Sequence, residues 1–303
     1  MTVTEKRLTQ EEESGESTEA TQLATEHILH LGDARHLDWI PDTSVHLVVT
    51  SPPYWTLKKY NDYPGQLGHI ADYEQFQDVL DEVWKHCYRV LVPGGRLVCV
   101  VGDVCIARRR NKGRHMVIPL HADISVRCRK IGLDYLTPIL WYKIANANHE
   151  VENGSSFLGK PYEPNAIVKN DIEYILMLRK PGGYRTPTDE QRRESKLSKE
   201  EHAAWFQSIW TDLQGASTKD HPAPFPVDLA YRLIRMFSFV GDQVLDPFAG
   251  TGSTVIAAMR ARRNSIGNEI DPKYLDLAEA RIRREIGNPS LFETSPRFIL
   301  SRE

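Results

Sequence analysis

The sequence predicts an α/β fold: a seven-stranded, mainly parallel sheet with helices on both faces. Three observations carry this. Short apolar runs alternate with segments whose apolar residues recur at helical intervals. Several of the runs are apolar throughout instead of alternating with polar residues, as strands covered on both faces are. A glycine-rich turn, Gly250 to Gly252, lies between a strand pattern and a helix pattern, at the carboxyl end of a strand where such sheets bind ligands.

The strands expected are Ile28 to Leu31, Val45 to Val49, Arg96 to Val101, Pro138 to Tyr142, Ile172 to Leu178, Gln243 to Asp246 and Ser265 to Glu269. Between them, the spacing of Tyr73, Phe76, Leu80, Val83, Trp84 and Cys87 predicts a one-faced helix from about Asp72 to Leu91, ended by Pro93-Gly94-Gly95. A second helix over 117–130 carries Val117, His121, Ile124 and Cys128. Residues 144–170 form a long polar loop, and loops of that length in compact domains tend to be functional. The basic stretch 179–210 ends in Trp205, Phe206 and Trp210 and is a candidate for target recognition. The three alternate prolines of His221 to Pro226 stiffen the entry to a helix with Val227, Ala230, Tyr231 and Ile234 on one stripe. The closing helix begins with Asp271 as N-cap and Pro272 in the first turn, runs to about Glu285, and packs through Leu275, Ala278 and Ile282.

At 303 residues and 41% hydrophobic, the chain suits one large domain over 27–303, preceded by an acidic tail over 1–26 expected to be disordered. The domain divides into a half over 27–178, the insert 179–210 and a half over 218–285. No apolar run approaches the roughly 20 residues of a membrane span, and the expected location is cytoplasmic. Cys87, Cys99, Cys105 and Cys128 form no metal-like or redox pair, so reduced thiols and no metal are expected. The net charge of −3 hides an uneven distribution. Glutamates crowd the tail, while Arg108, Arg109, Arg110, Lys112 and Arg114 crowd one loop after a strand, where they could track phosphates.

Two stretches carry chemistry. In Thr50-Ser51-Pro52-Pro53-Tyr54-Trp55 the prolines lack N–H groups and fix φ, so the chain leaves its strand as a stiff turn. Its carbonyls and the Ser51 hydroxyl stand as acceptors beside the flat Tyr54 ring, which suits an exocyclic amino group on an aromatic base. In Asp246-Pro247-Phe248-Ala249-Gly250-Thr251-Gly252 the glycines permit a tight turn into a helix N-terminus, with amides free for an anionic group. Glu269 ends the next strand, placed to accept from two ribose hydroxyls. Val255 in place of a third glycine argues against a nicotinamide dinucleotide.

Together these two motifs resemble the amino-group DNA methyltransferases, in the permuted order of the beta class, with the tetrapeptide before the cofactor loop. The resemblance covers roughly residues 27 to 285. It implies a Rossmann-like methyltransferase fold, S-adenosylmethionine as cofactor, and double-stranded DNA as substrate with the target base flipped out. By it, Ser51, Pro52, Pro53 and Tyr54 are catalytic, and Asp33, Asp246, Pro247, Phe248, Gly250, Gly252 and Glu269 bind the cofactor, Asp33 at the adenine. The basic loop Arg108 to Arg114 would then bind DNA. Serine at the head of the tetrapeptide implies N4 of cytosine, with N6 of adenine as the alternative and an RNA or protein-glutamine substrate a remote third. A cognate restriction endonuclease is an implied partner, and the enzyme is expected as a monomer or homodimer.

Overall fold

The computed structural model describes residues 24–57, 61–106, 108, 111–143, 164, 168, 170–215, 226–288 and 294–302. Its main sheet contains β1 (Glu26–Leu31), β2 (Val45–Thr50), β3 (Leu91–Val101), β6 (Asp134–Tyr142), β7 (Ile172–Arg179), β8 (Ile209–Trp210), β9 (Gln243–Asp246), β10 (Asn264–Glu269) and β11 (Arg297–Ser301). Two further strands, β4 (Val104–Ile106) and β5 (Met116–Ile118), pair as a separate antiparallel ribbon. The helices are α1 (Tyr73–Val90), α2 (Leu120–Ile131), α3 (Asp189–Glu194), α4 (Lys199–Trp205), α5 (Val227–Phe237), α6 (Ser253–Arg260) and α7 (Pro272–Ile286).

All seven expected strands are present, but the sheet has nine, in the order β11, β1, β10, β9, β2, β3, β7, β6, β8. The two extra strands lie at its edges. One has only two residues, and the other follows the closing helix, beyond the last strand pattern evident in the sequence. Within the main sheet β7 alone opposes its neighbours; the other adjacent pairs are parallel. The decisive contact is β2 beside β9, with Leu47 opposite Val244 and Val48 opposite Leu245. It sets the end of the Ser51 strand next to the end of the Asp246 strand.

Alternation along each strand feeds two layers of core. Val48, Leu97, Cys99 and Val101 pack with Phe76, Leu80, Trp84, Ile124 and Cys128 of α1 and α2. Leu47, Val49, Val98 and Val100 pack on the other face with Leu229, Leu233 and Ile234 of α5 and Ala257 and Ala258 of α6. Each large apolar side chain so buried contributes about 1.5–3 kcal/mol before entropy is counted, an upper estimate.

Helix ends follow local chemistry. Asp72 caps α1 by accepting from Gln75 N–H at 2.8 Å, and Asp271 caps α7 by accepting from Lys273 N–H at 2.8 Å. α2 begins three residues later than expected: Val117 belongs to β5 of the ribbon, and its apolar spacing had counted it into the helix. Of the expected tail, Glu26 already lies in β1 and Thr25 O accepts from Arg297 N–H; its residues 1–23 lie outside the described set, as do His221 to Phe225 and most of 144–170. Among the described residues no helix is long and apolar enough to cross a membrane.

Candidate active site

The carboxyl ends of β1, β2, β9 and β10 meet around a pocket of about 590 Å³. Its lining brings Asp33, Ser51, Pro52 and Pro53 from the first part of the chain together with Pro247, Phe248, Gly250 and Glu269 from the last. Gly32 and Ala34 flank Asp33 in it, and Gly65, Gln66, Leu67, Asn268, Ile270 and Tyr274, which were not singled out by the sequence, complete it. Gly65 and its neighbours had no strand or helix pattern to place them; Ile270 and Tyr274 were visible only as the residues beyond a strand end and in the first turn of α7.

Ser51 Oγ donates to Tyr54 Oη at 3.3 Å, leaving its lone pairs for another donor. The Tyr54 ring is only 6% exposed, sits within the α1 and α2 core layer, and is not among the lining residues. Gly102, at the end of β3, lies against it: a Cβ there would be 3.4 Å from both Tyr54 Cε2 and Glu173 Cγ. Glu173 in turn accepts from Lys143 Nζ at 2.9 Å.

Asp246 turns inward. It is 1% exposed and accepts from Thr50 Oγ1 at 2.7 Å, Thr254 Oγ1 at 2.6 Å and Phe248 N–H at 3.1 Å. Burial pushes its carboxyl up to about 6 despite those bonds. It ties the ends of β2 and β9 to the start of α6 and does not line the pocket. Gly252 likewise builds the turn: at φ 80°, its Cα faces Ala278, where a Cβ would stand 3.2 Å from that residue's Cβ. Nor is the Gly250 amide free for an anion, since it donates to Glu269 Oε2 at 2.8 Å.

Glu269 also accepts from Asp271 N–H at 2.9 Å, and burial raises its carboxyl to about 7 even so. Asp33 behaves oppositely. Burial would raise it, but the hydrogen bonds and charge of Arg35 hold it below the usual carboxylate range.

The basic ribbon follows β3 at this same edge. Arg108 O accepts from Asn111 N–H and Gly113 N–H, forming the turn that carries Arg108, Lys112 and Arg114; Arg109 and Arg110 lie outside the described residues. Asp103 accepts from the His121 ring at 2.6 Å and from its N–H at 3.3 Å, at the start of α2. The insert 179–210 begins at the other edge and ends back at this one, where Ile209 and Trp210 pair with Leu140 and Trp141, level with the carboxyl end of β3. Because β7 runs against β3, Arg179 emerges at the amino edge of the parallel strands, away from the pocket.

The family model described as DNA methylase, covering N6 and N4 enzymes, matches residues 45–280. The chain belongs to this DNA methylase family. Type II methyltransferase M.MjaI of Methanocaldococcus jannaschii is 39% identical over 291 residues, spanning 86% of this chain and 92% of that protein. TTHA0409 of Thermus thermophilus, a candidate DNA modification methylase solved with S-adenosyl-L-methionine, superposes with a TM-score of 0.75 at 54% identity, covering 91% of this chain and 99% of that one. The cytosine-N4-specific PvuII DNA methyltransferase shares the fold, at a TM-score of 0.61 and 20% identity over 91% of this chain and 95% of that one.

The cofactor of this DNA methylase is S-adenosylmethionine, and its pocket fits that molecule. Asp33 and Glu269 offer carboxylate acceptors to hydroxyl and amine hydrogens, while Pro52, Leu67, Phe248 and Ile270 supply apolar walls for a flat ring. The wall is close enough at Gly65, φ 86°, that a Cβ would lie 2.9 Å from Ile270 Cδ1.

Proposed function

We propose that this DNA methylase methylates N4 of cytosine in duplex DNA, with Ser51 and the Pro52 carbonyl holding the amino group of a flipped base. One observation carries the reading: Ser51 and Pro52 line the same pocket as Asp33, Phe248 and Glu269. When bound, S-adenosylmethionine supplies an electrophilic methyl group. The protein's task is to make a poor nucleophile point at it. An aryl amine delocalises its lone pair into the ring, so one N–H is held by Ser51 Oγ and the other by the Pro52 carbonyl, which pulls the nitrogen toward tetrahedral. The Tyr54 hydroxyl takes the Ser51 proton as a hydrogen bond and so turns the serine lone pairs toward the substrate.

Positioning and electrostatics then supply most of the acceleration. The nitrogen becomes strongly acidic once alkylated, and its proton leaves through Ser51 or water without a tuned base. Asp33 and Glu269 would hold the adenosine portion of the cofactor, and Phe248 would supply an apolar face for its ring. The target must leave the duplex at a cost of a few kcal/mol, and the turn bearing Arg108, Lys112 and Arg114 grips the backbone while it does so. Serine at the head of the tetrapeptide favours cytosine over adenine.

The experiment is labelled-methyl transfer to duplex DNA, RNA and total protein in parallel. Label is expected in DNA alone; label in RNA or protein in preference to DNA would refute the reading.

A further inference from the structure

At the amino edge of the sheet, opposite the cofactor pocket, lies a second, open groove of about 970 Å³ between the Gly94-Gly95 turn, the segment 184–187 and the Phe237 to Asp242 connection. Three guanidinium groups, Arg96, Arg185 and Arg192, line it against one carboxylate, Asp242. That carboxylate is already engaged: Arg185 pairs with it, and it accepts from Phe239 N–H at 2.8 Å.

Among the described residues Arg96 has no carboxylate partner. Its guanidinium lies 4.7 Å from the centre of the Phe237 ring, its Nε is buried, and no described residue accepts a hydrogen bond from that nitrogen. Burial also lowers its affinity for its own proton, opposed by the nearby Tyr184 and reinforced by Arg179. A partly buried arginine without an acceptor is costly unless something else completes it. Arg192 is exposed at the rim and likewise has no acceptor among the described residues. His46 adds a neutral donor. Its Nδ1 accepts from Gln243 N–H at 3.0 Å, which leaves the ring proton on Nε2, and that nitrogen lies 4.0 Å from Asp242, too far for a hydrogen bond.

We propose that this groove binds a phosphate group, held by the guanidinium forks of Arg96 and Arg192 and by His46 Nε2–H. Planar guanidinium forks match phosphate oxygens two at a time, and an acceptor-rich tetrahedral anion offers oxygens to each of the three donor side chains that line the groove. The site stands independently of methyl transfer, because none of its residues lines the cofactor pocket.

The test is calorimetric titration of the full chain with inorganic phosphate, against chloride at matched ionic strength and against acetate. Saturable phosphate binding is expected in the native protein and in an R108Q/R114Q variant, whose substitutions lie at the other edge. Arg192→Gln and Arg96→Met should each weaken it about tenfold or more, as loss of a charged hydrogen bond does, with cofactor affinity unchanged. The exposed Arg192 keeps the test valid if the Arg96 variant folds poorly. Competition by a short duplex would identify the nucleic-acid backbone as the source of the phosphate, and failure to compete would identify a small phosphate. No saturable binding, equal binding of acetate, or full binding by either folded groove variant would overturn the assignment.

Discussion

Among the described residues the hydroxyl of Ser51 makes one hydrogen bond, to Tyr54 at 3.3 Å, so its removal isolates the interaction proposed with the substrate. Ser51→Ala should lower kcat about 10²–10³-fold, the usual cost of removing a positioned hydrogen-bonding group from a polar transition state. The dissociation constant for S-adenosylmethionine should stay unchanged in the same variant; both are read from single-turnover rates and calorimetry. Glu269 gives a pH signature. Burial raises its carboxyl to about 7, and the bonds proposed from ribose hydroxyls would favour the ionised form, so below that pH binding would expel a proton. Cofactor affinity should therefore fall by up to about tenfold for each unit below pH 7 and level off above it. Titrations of Glu269→Gln across the same range should be flat. At this scale Ser51 and Glu269 were legible in the sequence because each sits at a strand end and the fold sends strand ends to one edge. Asp246 was not. A carboxylate at a strand end reads the same whether it meets a ligand or, as here, the hydroxyls of Thr50 and Thr254.

Among the elements, the turn from β9 into α6 has the least freedom. Gly252 holds φ 80° with α7 packed against it. Gly252→Ala forces a side chain into a left-handed backbone and a 3.2 Å contact with Ala278 Cβ. The expected loss is about 1–3 kcal/mol of stability in denaturant unfolding, with weaker cofactor binding because Phe248 and Gly250 ride on the same turn. The ribbon of β4 and β5 should act differently, through charge. Replacing Arg108, Lys112 and Arg114 one at a time by glutamine should reduce the slope of log affinity for duplex DNA against log salt by roughly one for each phosphate no longer neutralised, across all sequences alike. The sequence placed the basic residues on this loop but not the ribbon itself, because three-residue strands carry too few positions to show a period. Val117 was drawn into the neighbouring helix for the same reason.

For the whole molecule, the parallel pairing of β2 with β9 joins two halves of the chain at the point where the pocket opens, and the proposed function rests on it. That pairing could be anticipated from two motifs known to work together, but periodicity alone could not have shown it, since each strand is equally apolar on both faces. The direction of β7 was equally hidden. It carries the chain to the amino edge, where Arg185 lines a separate groove with Arg96 and Arg192. The task proposed for the shared pocket is to present the amino group of a flipped cytosine to the cofactor's methyl. Mass spectrometry of nucleosides from duplex DNA, incubated with the purified protein and deuteromethyl-labelled S-adenosylmethionine, reads that outcome without an intermediary. Labelled N4-methyldeoxycytidine is expected, and none with Ser51→Ala; label on deoxyadenosine, or label on deoxycytidine that survives that substitution, would contradict the proposal.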